Sequence, residues 1–170
     1  MYPVRYQQPG QTWPGRRIVA GLMLAALLLV SAACGKPSPI GEINDQATVA
    51  LLRFEKINQD FSGVVYREIN DYAAFVSQSE LPILVVFYHP MNTDNPRIIP
   101  LLEEMADDYQ GRLAIVWING TAEPRLAEGL GARTLPQFTV LVHSQVQQSL
   151  VGFGPTGEAA VQELITPYLK

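Results

Sequence analysis

Apolar residues fall along the chain in blocks of distinct rhythm. Leu81 to Tyr88 (LPILVVFY) and Leu113 to Asn119 (LAIVWIN) are nearly unbroken apolar runs, rich in branched and aromatic residues. Such runs predict strands buried on both faces of a sheet. Gly63 to Ile69 (GVVYREI) predicts a shorter strand; Gln137 to His143 and Gln147 to Gly152 predict two more around a turn at Ser144-Gln145. Segments of helical spacing lie between them. Asn70 can cap a helix from Asp71 to Gln78 with Tyr72, Phe75 and Val76 on one face. Pro96 to Gln110 sets Ile98, Leu101, Leu102, Met105 and Tyr109 against Glu103, Glu104, Asp107 and Asp108. Pro124 to Gly129 and Glu158 to Leu169 predict two further helices. Glu42 to Asp60 carries Val49, Leu51, Leu52, Phe54 and Ile57, a spacing that predicts a helix there too, and Gly35 to Gly41 (GKPSPIG) reads as a linker.

This order predicts an α/β fold, a mixed central β-sheet flanked by helices. The two central runs, joined through a helix, form a right-handed βαβ unit. The last two strands form an antiparallel hairpin.

The N-terminal block has a different character. Arg5, Arg16 and Arg17 precede the apolar run Ile18 to Val30, which ends in Ser31, Ala32 and Ala33. A basic region, a short apolar run and small residues predict a secretory signal. The run falls short of the roughly 20 residues that span a bilayer as a helix. The only cysteine follows at Cys34. Val-Ser-Ala-Ala-Cys-Gly resembles the lipobox of bacterial lipoproteins, in which the cysteine becomes the lipidated N-terminus after cleavage. Ser31 departs from the Leu preferred at that place. Arg16 and Arg17 also suggest twin-arginine export, although their neighbours fit that route poorly. Three regions are therefore expected: a lipoprotein-type signal peptide over 1–33, a lipidated N-terminus with linker and helical extension over 34–60, and the α/β domain over 61–170.

Charge narrows the partners. The net charge is −4, and removing residues 1–33 leaves nine basic against sixteen acidic side chains. That balance argues against nucleic-acid binding. The expectation is a domain in the cell envelope, held by lipid on Cys34 to the outer face of the cytoplasmic membrane, or to an outer membrane if one exists.

From Leu81 to Asn119 the sequence resembles the central βαβ of thioredoxin. Pro100 inside the helix, Gln110-Gly111 after it, Leu135-Pro136 before the hairpin and VGFGPTGEAAVQELI near the end follow in matching order, so the resemblance covers Phe61 to Lys170. It implies a thioredoxin-like fold with Pro136 cis. It also places the two active-site cysteines of that family on Asn92 and Asn95, its buried acid on Val86 and the lysine opposite on Trp117. An amide cannot ionise, attack a disulfide or resolve one, so dithiol exchange has no nucleophile here. The chain is expected to be a non-enzyme with no cofactor.

What remains in the loop is His89, Met91, Asn92, Thr93, Asp94 and Asn95. Asn95-Pro96, or Asp94, fits a helix cap, so the loop reads chiefly as structural. One histidine and one carboxylate make a poor zinc site, and no metal is expected. In thioredoxin-like proteins the residue before the cis-proline offers its backbone to an extended peptide; here that is Leu135. Tyr88, Met91, Leu135, Pro136 and Phe153 are the candidate groove. The expected function is binding of an envelope protein or peptide, in an assembly, chaperone-like or scaffold role. The alternative is a redox accessory or other enzyme of this fold working with a partner's thiols.

Overall fold

The computed structural model describes residues 37–60 and 62–169. The expected signal peptide, residues 1–33, and Cys34 lie outside the described residues. Seven strands form one sheet: β1 (Ile40–Ile43), β2 (Val49–Lys56), β3 (Ser62–Ile69), β4 (Ile83–Tyr88), β5 (Ala114–Asn119), β6 (Gln137–Val142) and β7 (Gln145–Val151). Their order across the sheet is β1-β3-β2-β5-β4-β6-β7. Only β4 and β5 run parallel, in the register Val86↔Trp117; the other neighbours are antiparallel.

The helices follow from the apolar stripes. α1 (Tyr72–Gln78) buries Phe75 and Val76; α2 (Asn95–Asp108) buries Ile98, Leu101, Leu102, Met105 and Ala106. α3 (Pro124–Gly129) buries Ala127, and α4 (Gly157–Ile165) buries Val161, Leu164 and Ile165. A 3-10 turn over Thr166–Tyr168 ends the last helix, where Pro167 has no N–H to continue the ladder.

Two cores result. On one face Leu84, Val86, Ile115, Trp117, Phe138 and Val140 pack against α2 and α4. On the other, Val85, Phe87, Val116 and Ile118 pack with residues of α1 and α3. Because helices cover both faces, Ile83 to Phe87 are buried without a break, as the continuous apolar run predicted.

The N-terminal extension corrects the sequence reading. Glu42 to Asp60 is not a helix: it holds the end of β1 and all of β2. β2 lies inside the sheet, paired with β3 and, from Val49 to Leu52, with β5. Val49, Ala50, Leu51 and Leu52 are all buried, so the alternation of a half-exposed strand is missing and the spacing mimics a helix face. The linker is likewise shorter than expected, since Ile40 and Gly41 belong to β1, and the compact unit begins at Ser38.

Smaller differences have local causes. The cap of α1 is Asp71 and not Asn70: its carboxylate accepts the Ala74 N–H at 2.9 Å. The hairpin turn falls one residue early, on His143 and Ser144, which both take left-handed conformations (φ 50° and 64°) suited to a tight two-residue connection.

Candidate functional site

The C-terminal ends of β4 and β5 carry the loop that the sequence singled out. Tyr88 ends β4, and residues 89–94 lead into α2. The loop is closed by its own polar groups. His89 Nδ1 accepts the Met91 N–H at 3.0 Å, and the His89 carbonyl accepts the Asn92 N–H at 2.9 Å. Asn92 Oδ1 accepts the Asp94 N–H at 2.8 Å. The Asn95 amide turns back and donates to the carbonyls of His89 (3.0 Å) and Pro90 (3.3 Å). Asn92 and Asn95 thus brace the loop.

The capping detail differs from expectation. Asp94 occupies the cap position, yet its side chain makes no cap hydrogen bond, and its backbone is already helical (φ −86°, ψ −11°). Its carboxylate leans instead toward Arg97 at 3.9 Å. Asn95 is the first residue of the helix and not its cap.

Arg97 ties this corner together, a role the sequence reading missed. Its guanidinium sits 4.9 Å from the centre of the Phe153 ring and reaches the Gly154 carbonyl and Glu158, each at 3.4 Å. Phe153 is sunk in the core, 2% exposed and tilted against Phe138 with ring centres 5.9 Å apart. It does not line the groove, contrary to the sequence reading.

Of the other groove residues, Leu135 and Pro136 lie beside the end of β4. The Leu135-Pro136 bond is cis, and Pro136 is buried. The Pro136 carbonyl accepts the Gly152 N–H at 2.8 Å, which fixes the end of β7 beside it. Leu135 is half-buried and lies over Gly120; a Cβ added to Gly120 would come within 2.9 Å of Leu135 Cδ1. The Gly120 N–H donates to the Tyr88 carbonyl at 2.9 Å, so Leu135, Gly120 and Tyr88 form one contiguous patch. Among the described residues, no hydrogen bond reaches the Leu135 backbone. Met91, 83% exposed, is the most prominent apolar side chain of the loop.

Beneath the patch, Val86 pairs with Trp117 across the parallel strands, and both are buried. Tyr88 stacks on Trp117 with ring centres 4.0 Å apart and planes 8° from parallel. Burial holds the Tyr88 phenol above its ordinary pKa. The layer under the loop is therefore aromatic and aliphatic, with no carboxylate. No group of three or more metal-ligating side chains occurs among the described residues. A cavity of about 610 Å³ lies elsewhere, bordered by Leu51, Phe54, Phe75 and Leu113, and none of the loop residues lines it.

A parallel β4–α2–β5 unit, an antiparallel β6–β7 hairpin and a cis-proline beside the loop define a thioredoxin-fold domain. The thioredoxin sequence profile matches residues 63–165, and the chain belongs to the thioredoxin family. It is 27% identical over 106 residues to the chloroplastic M-type thioredoxin of Spinacia oleracea, covering 61% of this chain and 58% of that one. It is 28% identical over 99 residues to thioredoxin of Haemophilus influenzae, covering 58% and 92%. The chain thus spans under two thirds of the spinach protein's length. Among solved structures, thioredoxin NaTrxh of Nicotiana alata superposes with a TM-score of 0.50 at 16% identity, over 57% of this chain and 81% of that one, a likeness of fold.

Proposed function

We propose that this chain is a bacterial envelope lipoprotein whose thioredoxin-family domain binds a protein or peptide partner and performs no thiol chemistry. The observation that carries the reading is the pairing of two features at one corner. The helix-start loop holds Asn92 and Asn95, both engaged in bracing hydrogen bonds. The adjacent Leu135 leaves its backbone free next to the cis-proline. An extended segment laid across this corner can pair with the Leu135 N–H and C=O, with Tyr88 and Met91 flanking it. Neither amide can replace a thiolate, and Cys34, the sole cysteine, sits in the lipobox-like sequence that precedes the domain.

The reading is tested with a photo-crosslinking residue at Met91 in cells. Leu135→Asp is expected to abolish capture of the partner, because it sets a charge on the apolar patch and unsettles the pairing edge. His89→Ala is expected to lower capture only in part, through loss of the bond from the Met91 N–H to His89 Nδ1. Full capture by both variants would remove the groove from the account.

A further inference from the structure

The end of the sheet away from the loop carries a second concave site. Its cause is a mismatch of strand lengths. The β2 ladder with β5 ends at Leu52↔Ile115, whereas the β2 ladder with β3 continues to Lys56↔Ser62. β5 begins only at Ala114, so from Arg53 onward β2 has no strand on that side. One side chain reaches across: Gln110 Nε2 donates to the Phe54 carbonyl at 3.4 Å. Gly111, in a left-handed turn (φ 69°), adds no bulk, and a Cβ there would meet nothing within 4 Å. The cavity of about 610 Å³ occupies this gap. The two ends of β4 lie about 17 Å apart, which keeps the cavity remote from the loop after Tyr88.

Walls and rim differ in chemistry. Leu52 and Leu113 from one core and Leu51 and Phe75 from the other make the walls apolar. Gln78 and Gln110 are exposed and give a polar, uncharged rim. Arg53 is the only charged residue among those that line the cavity. Its ion pair is long: Glu55 Oε1 lies 3.8 Å away and is already held by Arg67 at 2.6 Å. Arg67 takes the other Glu55 oxygen as well, at 2.8 Å. The Arg53 guanidinium, on a side chain 59% exposed, therefore keeps N–H donors to give.

We propose that this cavity binds an amphiphilic anion, a molecule with an extended apolar body and one carboxylate head. The body covers the leucine and phenylalanine walls, and the head meets Arg53, whose planar fork can receive both carboxylate oxygens. No acidic side chain lines the cavity to compete, although the chain as a whole carries a net charge of −4. The site uses neither the loop nor Leu135, so it is tested apart from the partner reading.

Dodecanoate is the probe, titrated by calorimetry into the full chain below its micelle concentration. Dodecanol and dodecylammonium carry the same tail with a neutral or a positive head. Dodecanoate is expected to bind saturably and about tenfold more tightly than either. Arg53→Gln should weaken dodecanoate about tenfold and leave dodecanol unchanged. Gln78→Trp, at an exposed lining position, should weaken both by narrowing the cavity, with the circular dichroism of the wild type retained. A diazirine-bearing dodecanoate should label peptides that contain Leu51 to Phe54 or Gln78 to Leu81. Absence of saturable binding, equal binding of the three probes, or full dodecanoate affinity in Arg53→Gln would overturn the proposal. Label confined to residues outside the cavity, whether the apolar run 18–30 or the patch around Leu135, would overturn it too.

Discussion

Asn92 and Asn95 show how a pair of amide side chains can set a loop's shape. Each closes a turn by hydrogen bonds that a thiol would make only weakly. The layer below is apolar, with Val86 paired to Trp117 and Tyr88 stacked above. Val86→Asp is therefore expected to destabilise the domain by about 3 kcal/mol or more at pH 7, because a carboxylate would be buried beside an indole with no cation. Urea unfolding checks this. Gly120→Ala tests the patch. The added methyl presses on the flexible end of Leu135 and makes an ordinary contact with the Tyr88 carbonyl, so the fold should survive while Leu135 shifts and capture at Met91 falls. Circular dichroism and crosslinking yield, measured on one preparation, separate those outcomes. The loop residues and Leu135-Pro136 were legible in the sequence because turn composition and an X-Pro pair mark them directly. Arg97 and the burial of Phe153 were not, because a strap between α2 and the segment after β7 joins residues far apart in the chain.

At the scale of elements, the strands of the central βαβ were legible, and β2 was not. The same physics explains both. A strand buried on two faces shows a continuous apolar run; flanked by Gly, Pro or turn residues it reads as a strand, as β4 does. β2 has only four fully buried residues before Arg53, within a charged segment that has no sharp boundary. Its place between β3 and β5 means that a fragment beginning at residue 61 would expose the edges of both neighbours. Residues 61–170 are expected to show no cooperative thermal transition, whereas residues 38–170 should unfold cooperatively; calorimetry distinguishes them. The β2–β3 hairpin also carries an ion pair, with Arg67 donating to both Glu55 oxygens at 2.6 and 2.8 Å. The Arg67 hydrogen bonds hold the Glu55 carboxyl below its ordinary pKa. Its contribution is then fully present above the unfolded pKa, near 4.5, and is lost as the pH falls through the lower folded value. Arg67→Ala should cost about 1 kcal/mol at pH 7, since the pair is only partly buried, and the gap to wild type should narrow at pH 3. Chemical denaturation at the two pH values measures it.

For the whole molecule, a thioredoxin-family scaffold carries Asn92 and Asn95 where the loop enters α2. The fold was legible because several independent features occur in the right order along the chain. The free backbone of Leu135 was less legible, because an unpaired backbone edge carries no residue code. The central claim, a thioredoxin scaffold without thioredoxin chemistry, is tested most directly by disulfide reduction. Insulin reduction is measured for a Cys34→Ser chain, with Asn92→Cys/Asn95→Cys on the same background to show that the loop can hold a dithiol. The account predicts no reduction by the Cys34→Ser chain above the uncatalysed rate. Catalysed turnover by that cysteine-free protein would contradict it.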